Sequence, residues 1–386
     1  MPDIRIDREY LVATLADLVG INSINPSLVP GAPGETAIAA YVAERMRGLD
    51  LEVDTFEPDP GRPSVVGRLR GSGGGRSLML NGHLDTVGVE GMPDPFTAVV
   101  RDGRVYGRGA FDMKGSLAAC LAAVQAVRHA ACRLRGDLLV AAVADEEYAS
   151  IGTAEIARQV RVDGAIVTEA TGLDICLAHK GFVWLEVETI GRAAHGSRFE
   201  LGIDANMRMG RVLAALEALE QDLRVRPPHA LVGPPSLHAA LLRGGSELST
   251  YASSCTLGIE RRTIPGETEL QVASEVRAIL ERLAAADPTF RARSKVLLTR
   301  EPFAVPPEAP LVQAVRAAVA AHRGVAPTVI GQPWWTDAAL LAAAGAETLL
   351  VGPTGAGAHA VEEWVDLQSL EALAGILVDV AISYCN

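Results

Sequence analysis

A chain of 386 residues, 49% hydrophobic and 21% charged, holds enough apolar material for a sizeable core and exceeds what one core usually supports, so two domains are expected. A formal net charge of −12 removes the electrostatic gain that phosphate contacts give a basic protein, which argues against a nucleic-acid partner. Cys120, Cys132, Cys176, Cys255 and Cys385 lack CxxC spacing, MPDIRIDREY holds no h-region, and no stretch reads as a bilayer span; a cytoplasmic protein without a disulfide framework or membrane partner is expected.

Residues 7–19 place Leu11, Leu15 and Leu18 on one helical face behind Asp7 as N-cap. NPSLVPGAPGE (25–35) is loop by its Pro and Gly content, and 36–49 reads as a second amphipathic helix. Strand-like apolar runs follow at 64–69, 77–81, 138–143, 165–168 and 348–351, with helical stretches at 114–129 and 153–160. GSGGG (71–75) has no helix directly after it, so it reads as a flexible hairpin loop rather than a phosphate loop. The alternation predicts an α/β domain with a mainly parallel sheet. The middle of the chain differs. Residues 182–190 set Val183, Leu185 and Val187 against Glu186 and Glu188, and 256–260 and 291–298 look similar. Such alternation suits an antiparallel sheet with one wet face. With helix-like stretches at 203–219 and 267–285, it predicts an inserted α+β unit. The expected division is 1–180 and 300–386 for the α/β domain and 181–299 for the insert.

The chemistry concentrates where strands end. SLMLNG runs into His83 and Asp85, LLVAAVA into Asp145, Glu146 and Glu147, AIVT into Glu169, and TLLVGPTGAGA into His359. Ligands in open α/β sheets gather outside the carboxyl ends of the strands. A fifth position, Asp112, lies in GRGAFDMKGS just ahead of a helix. Each feature alone has a plain structural reading, such as a solvated strand end or a helix N-cap. Together they form an imidazole and carboxylate set of the zinc type, although Co2+ or Mn2+ suits the same donors. Asp112 is the expected bridge between two cations, and the other four ligands, His83, Glu147, Glu169 and His359, divide into two pairs, one per cation. Asp85 would orient the His83 ring. If Glu147 binds metal, Glu146 is free to act as general base toward an activated water. His129, His229, His238 and His322 read as ordinary helix-end or loop residues, and Trp334-Trp335 as packing.

With these residues in place, the chain resembles the dinuclear zinc aminoacylase and carboxypeptidase family that contains acetylornithine deacetylase, succinyl-diaminopimelate desuccinylase, glutamate carboxypeptidase and aminoacylase. GHLDTV (82–87), YGRGAFDMKG (106–115), DEE (145–147), TEA (168–170) and GAHAVEEWV (357–365) are similar to its metal and catalytic motifs. The resemblance implies that the insert is a lid and dimerisation domain and the protein a homodimer. It implies that His195, in GRAAHGSRFELGIDAN (191–206), reaches the partner's active site to polarise the scissile carbonyl. It also implies that Arg262, in ERRTIPGE (260–267), holds a substrate carboxylate, as an Arg fork can. Ser249 stands where members often carry a substrate-contacting Asn, and Asp204 replaces a common Asn. The expected activity is hydrolysis of the amide of an N-acyl-L-amino acid. The alternatives are a dipeptidase or carboxypeptidase on the same scaffold, and a metal-binding protein without turnover, against which Glu146 speaks.

Overall fold

The computed structural model describes residues 4–386, and the chain forms two compact units. The first runs to Leu177 and takes in Val305–Ile330 and Thr336–Asn386. Its sheet is parallel at the centre and antiparallel at the flanks. Leu138–Val143, Leu78–His83, Gly164–Val167 and Glu347–Leu350 lie side by side in that order, each parallel to its neighbours. Ser64–Leu69 and Glu52–Phe56 continue one flank antiparallel, and Ile175–His179 the other. The central strands are buried on both faces, which explains why they read as apolar runs rather than alternations. All four point their carboxyl ends the same way, so the segments carrying Glu146, His83, Glu169 and His359 leave the sheet along one edge.

Helix Gly115–His129 is buried from Gly115 through Val127, as expected for a helix apolar on every side. It packs against the strands Leu78–His83 and Leu138–Val143 and against helices Arg8–Gly20 and Leu367–Tyr384. The expected N-cap of the first helix is present: Asp7 Oδ1 accepts the Tyr10 N–H at 3.0 Å. Two segments, Ala110–His129 and Leu367–Tyr384, do reach the length and apolarity of a membrane span, against the reading from sequence. Their apolar windows are 89% and 67% buried inside this chain, so that apolarity serves the core.

The glycine run at 71–75 is not a hairpin. Ser64–Leu69 and Leu78–His83 do not pair, because Leu138–Val143 lies between them. The loop crosses the end of that strand at close quarters. A Cβ on Gly71 would sit 2.4 Å from the Arg135 carbonyl oxygen, and one on Gly75 would sit 2.0 Å from that of Cys385. Gly71 and Gly75 are there for close approach, whereas Gly73 and Gly74 take positive φ of 100° and 81°.

The second unit comprises Ala178–Ala304 and Gly331–Trp335. Its sheet is antiparallel, in the order Ser236–Gly244, Ser254–Thr263, Gly181–Ile190 and Ala292–Arg300. Val183, Leu185 and Val187 turn inward against Met209, Val212 and Leu216 of helix Ala205–Val225 and Val272, Val276 and Ile279 of helix Glu269–Ala286. The first helix is capped by Asp204, which accepts the Asn206 and Met207 N–H groups, and the second by a Thr268–Gln271 capping box. Asp204 thus has a local use of its own. The edge strand Ser236–Gly244 is exposed along most of its length and lacks an inward alternation, so nothing in its pattern marks it as a strand. It carries His238, which is therefore a strand residue rather than a loop one.

Candidate metal centre

His83 is the last residue of its strand and is 1% exposed. Its Nδ1 lies 2.9 Å from the backbone oxygen of Asp85. A carbonyl only accepts, so Nδ1 carries the proton and Nε2 faces the site. Nε2 lies 3.0 Å from Asp112 Oδ1 and 3.8 Å from Glu169 Oε1. On the other side of Asp112, Oδ2 lies 3.3 Å from His359 Nε2, which is 3.1 Å from Glu147 Oε2. Two groups that could hold a metal ion result among the described residues: His83, Asp112 and Glu169, and Asp112, Glu147 and His359. Within each, the ligand atoms lie within 4.8 Å of one another, and Asp112 belongs to both. Glu146 is half-buried beside them and belongs to neither.

The charge balance shows what such a site would take. Burial pushes the Glu146 carboxyl well above its ordinary value, reinforced by Glu169 and Glu147. Burial and the Asp112 charge push Glu169 up to about 8, and Glu147 is raised by the same two causes. Asp112 goes the other way: burial opposes it, but hydrogen bonds from His359 and His83 hold its carboxyl below the usual range. Its contacts and those of Glu147 raise His359 to about 10. Several acids therefore crowd two imidazoles, His83 buried and His359 half open to solvent, and divalent cations would relieve that crowding. Oxygen and imidazole nitrogen donors suit zinc and its neighbours in the first transition row.

Asp85 departs from its expected part. Its carboxylate stands 3.7 Å from His83 Nδ1, beyond a hydrogen bond, and the ring is held by the backbone oxygen instead. The carboxylate turns to the next loop, where it accepts the N–H of Glu146 at 3.1 Å and of Glu147 at 3.2 Å. The two-residue spacing from His83 suggested a ring contact. Only the fold reveals that the glutamate loop, some sixty positions away, comes closer.

Asp112 sits in a helical turn, Ala110–Lys114, with non-helical φ and ψ of its own. Glu363 fixes this turn. Its carboxylate accepts the N–H groups of Gly109, Phe111 and Asp112 and pairs with Arg108 Nη1 at 2.6 Å. Glu363 lies four residues after His359, so one segment braces the shared aspartate and supplies the closing histidine. It stood inside a quoted motif, GAHAVEEWV, but nothing in the string shows what its carboxylate touches.

His195, Ser249 and Arg262 lie in the second unit. His195 and Ser249 share one loop cluster: His195 bridges to Thr250, and the Gly196 N–H donates to the Ser249 carbonyl at 2.6 Å. His195 is exposed, with Nδ1 2.8 Å from Ser197 Oγ. Arg262 is elsewhere in the same unit. Its guanidinium lies 5.4 Å from the centre of the Phe182 ring, and Nη2 donates to the Pro333 carbonyl. The His195 cluster flanks the Ser254 end of strand Ser254–Thr263, whereas Arg262 is at the other end. Eight residues of strand separate those ends by about 26 Å.

Comparison with known proteins yields a consistent set. Residues 79–383 match Peptidase family M20/M25/M40. The chain is 30% identical to an N-formyl-4-amino-5-aminomethyl-2-methylpyrimidine deformylase of Bacillus subtilis, over 92% of this chain and 91% of that one. It is 30% identical to an acetylornithine deacetylase of Myxococcus xanthus, over 97% and 98%. Among solved structures, a Bacillus subtilis protein described as a dinuclear metal-binding peptidase of the M20 family shares the fold, with a TM-score of 0.76, 14% identity and 98% of each chain covered.

Proposed function

This chain belongs to peptidase family M20/M25/M40 and is a metal-dependent amide hydrolase, and from that premise we propose that it removes the acyl group of an N-acyl-L-amino acid. The observation that carries the reading is Glu146, an acid beside two ligand groups that share Asp112 and a member of neither. A purely structural metal site has no use for such a group. Two relatives that are named for removing formyl and acetyl groups support deacylation over cleavage between amino acids.

His83, Asp112 and Glu169 would hold one cation, and Asp112, Glu147 and His359 the other, with Zn2+ the metal we favour. Bound there, the cations would supply Lewis acidity to the scissile carbonyl and to the attacking water. Glu146 takes the proton of that water and later delivers it to the leaving amine, so amide and water become carboxylate and amine. Asp85 holds the Glu146 and Glu147 backbone while this happens. Arg262 binds the substrate carboxylate with its planar fork. His195 stabilises the developing oxyanion from a partner subunit, a role the family resemblance suggests. Five free cysteines accord with a cytoplasmic setting.

A substrate panel tests the reading. Enzyme reconstituted with Zn2+ is expected to cleave N-formyl or N-acetyl amino acids with a higher kcat/KM than N-succinyl substrates or dipeptides. Preference for dipeptides would replace it with the peptidase reading. Subunit mixing tests the dimer. His195→Ala and Glu146→Gln chains, each inactive alone, are expected to regain activity when mixed, because one site of the heterodimer then receives intact His195 and Glu146. Confirmed heterodimers without activity would place the whole site in one chain.

A further inference from the structure

The loop that carries Glu146 and Glu147 is anchored by a buried cluster that contributes nothing to either ligand group. Arg62, 8% exposed, is its hub. Its Nε and Nη2 make a forked pair with Glu35 at 2.6 and 2.7 Å. The same Nη2 donates to Asp145 Oδ1 at 2.8 Å and to the Asn25 side-chain oxygen at 3.1 Å. With its oxygen accepting from Arg62 and from the Ser27 N–H at 2.9 Å, Asn25 turns its Nδ2 to Asp85 Oδ2 at 2.8 Å and to Asp145 Oδ1 at 3.0 Å. Asp85 in turn catches the N–H groups of Glu146 and Glu147. Asp145, immediately before them, has φ 68°, a left-handed conformation that a non-glycine residue holds only when its surroundings impose it. Glu35 helps to impose it by accepting the Asp145 N–H at 3.2 Å.

We propose that Arg62 is a positioning residue that, through Asn25, Asp145 and Asp85, sets the place of Glu146 and Glu147 at the metal centre. The inference rests on the two-cation reading above and adds a specific consequence. Only the group of Asp112, Glu147 and His359 includes a residue of the anchored loop; the group of His83, Asp112 and Glu169 does not. Loosening the hub therefore weakens one cation and leaves the other. Lysine cannot replace arginine here, because a single ammonium lacks the planar fork that reaches Glu35, Asp145 and Asn25 together.

The test is calorimetric titration of the metal-free protein with Zn2+, comparing wild type, Arg62→Lys and Asn25→Leu, with circular dichroism and Tm to verify folding. Wild type is expected to take two cations per chain. In both variants one is expected to bind as in wild type and the other about 10–100-fold more weakly, the range for loss of a residue that orients a metal ligand. Two cations at wild-type affinity in both variants would overturn the proposal, even with a lowered Tm, because Arg62 would then serve only the fold. Equal weakening of both cations would overturn it too. Should Arg62→Lys fail to fold, Asn25→Leu decides alone, since it cuts the link to Asp85 and leaves the Arg62 ion pairs in place. A wild type that takes fewer than two cations would overturn the metal reading and this proposal with it. No substrate is used, so a wrong assignment of the amide cleaved leaves the outcome intact.

Discussion

Glu146→Gln is expected to lower kcat by about 10²-fold or more, the lower range for loss of a general acid–base group, while both cations stay bound. Glutamine is nearly the same size and keeps an acceptor oxygen, so the half-buried position stays filled. It cannot take a proton from water. Glu146 belongs to neither ligand group, so nothing that holds a cation is removed. Its backbone N–H still bonds Asp85, which leaves the loop in place. The check is kcat with bound metal measured on the same preparation. Near-normal turnover with two cations bound would remove Glu146 from the mechanism.

Asp112→Ala is expected to abolish activity by a different route, through loss of both cations. Its Oδ1 faces His83 and its Oδ2 faces His359, so one carboxylate serves both groups. Each group is left with a single carboxylate and a single imidazole, too few for tight binding of a tetrahedral cation. His359→Ala is the contrasting variant, since His359 belongs to one group and lies half open to solvent. It is expected to lose one cation and keep the other. Metal content after dialysis separates the two. One tightly held cation in Asp112→Ala would mean that Asp112 does not bridge.

The strands and most helices were legible because their signals are local. Apolar runs at 64–69 and 138–143 coincide with the strands Ser64–Leu69 and Leu138–Val143. The alternation from 182 to 190 matches a strand with one face buried. Ser236–Gly244 escaped because an exposed edge strand has no face to alternate against. The glycine run misled for a related reason: two strands adjacent in sequence look like hairpin partners until a third is seen between them.

For the site, the sequence by itself determined the residue types and their place at strand ends, and the family resemblance assigned their likeness to a dinuclear centre. Both are carried by short stretches, where a strand's end and the acid after it are neighbours in the chain. Tertiary structure decided what each side chain touches. It turned the Asp85 carboxylate from the ring of His83 to the backbone of Glu146 and Glu147. It placed Glu363 under Asp112, and gathered Asn25, Glu35, Arg62 and Asp145 into one cluster. It also set Arg262 and His195 at opposite ends of one strand. The reason is physical. Buried polar groups must find partners, and which partners they find depends on which loops the sheet order brings together. In a sheet whose neighbours come from distant parts of the chain, no local pattern holds that order.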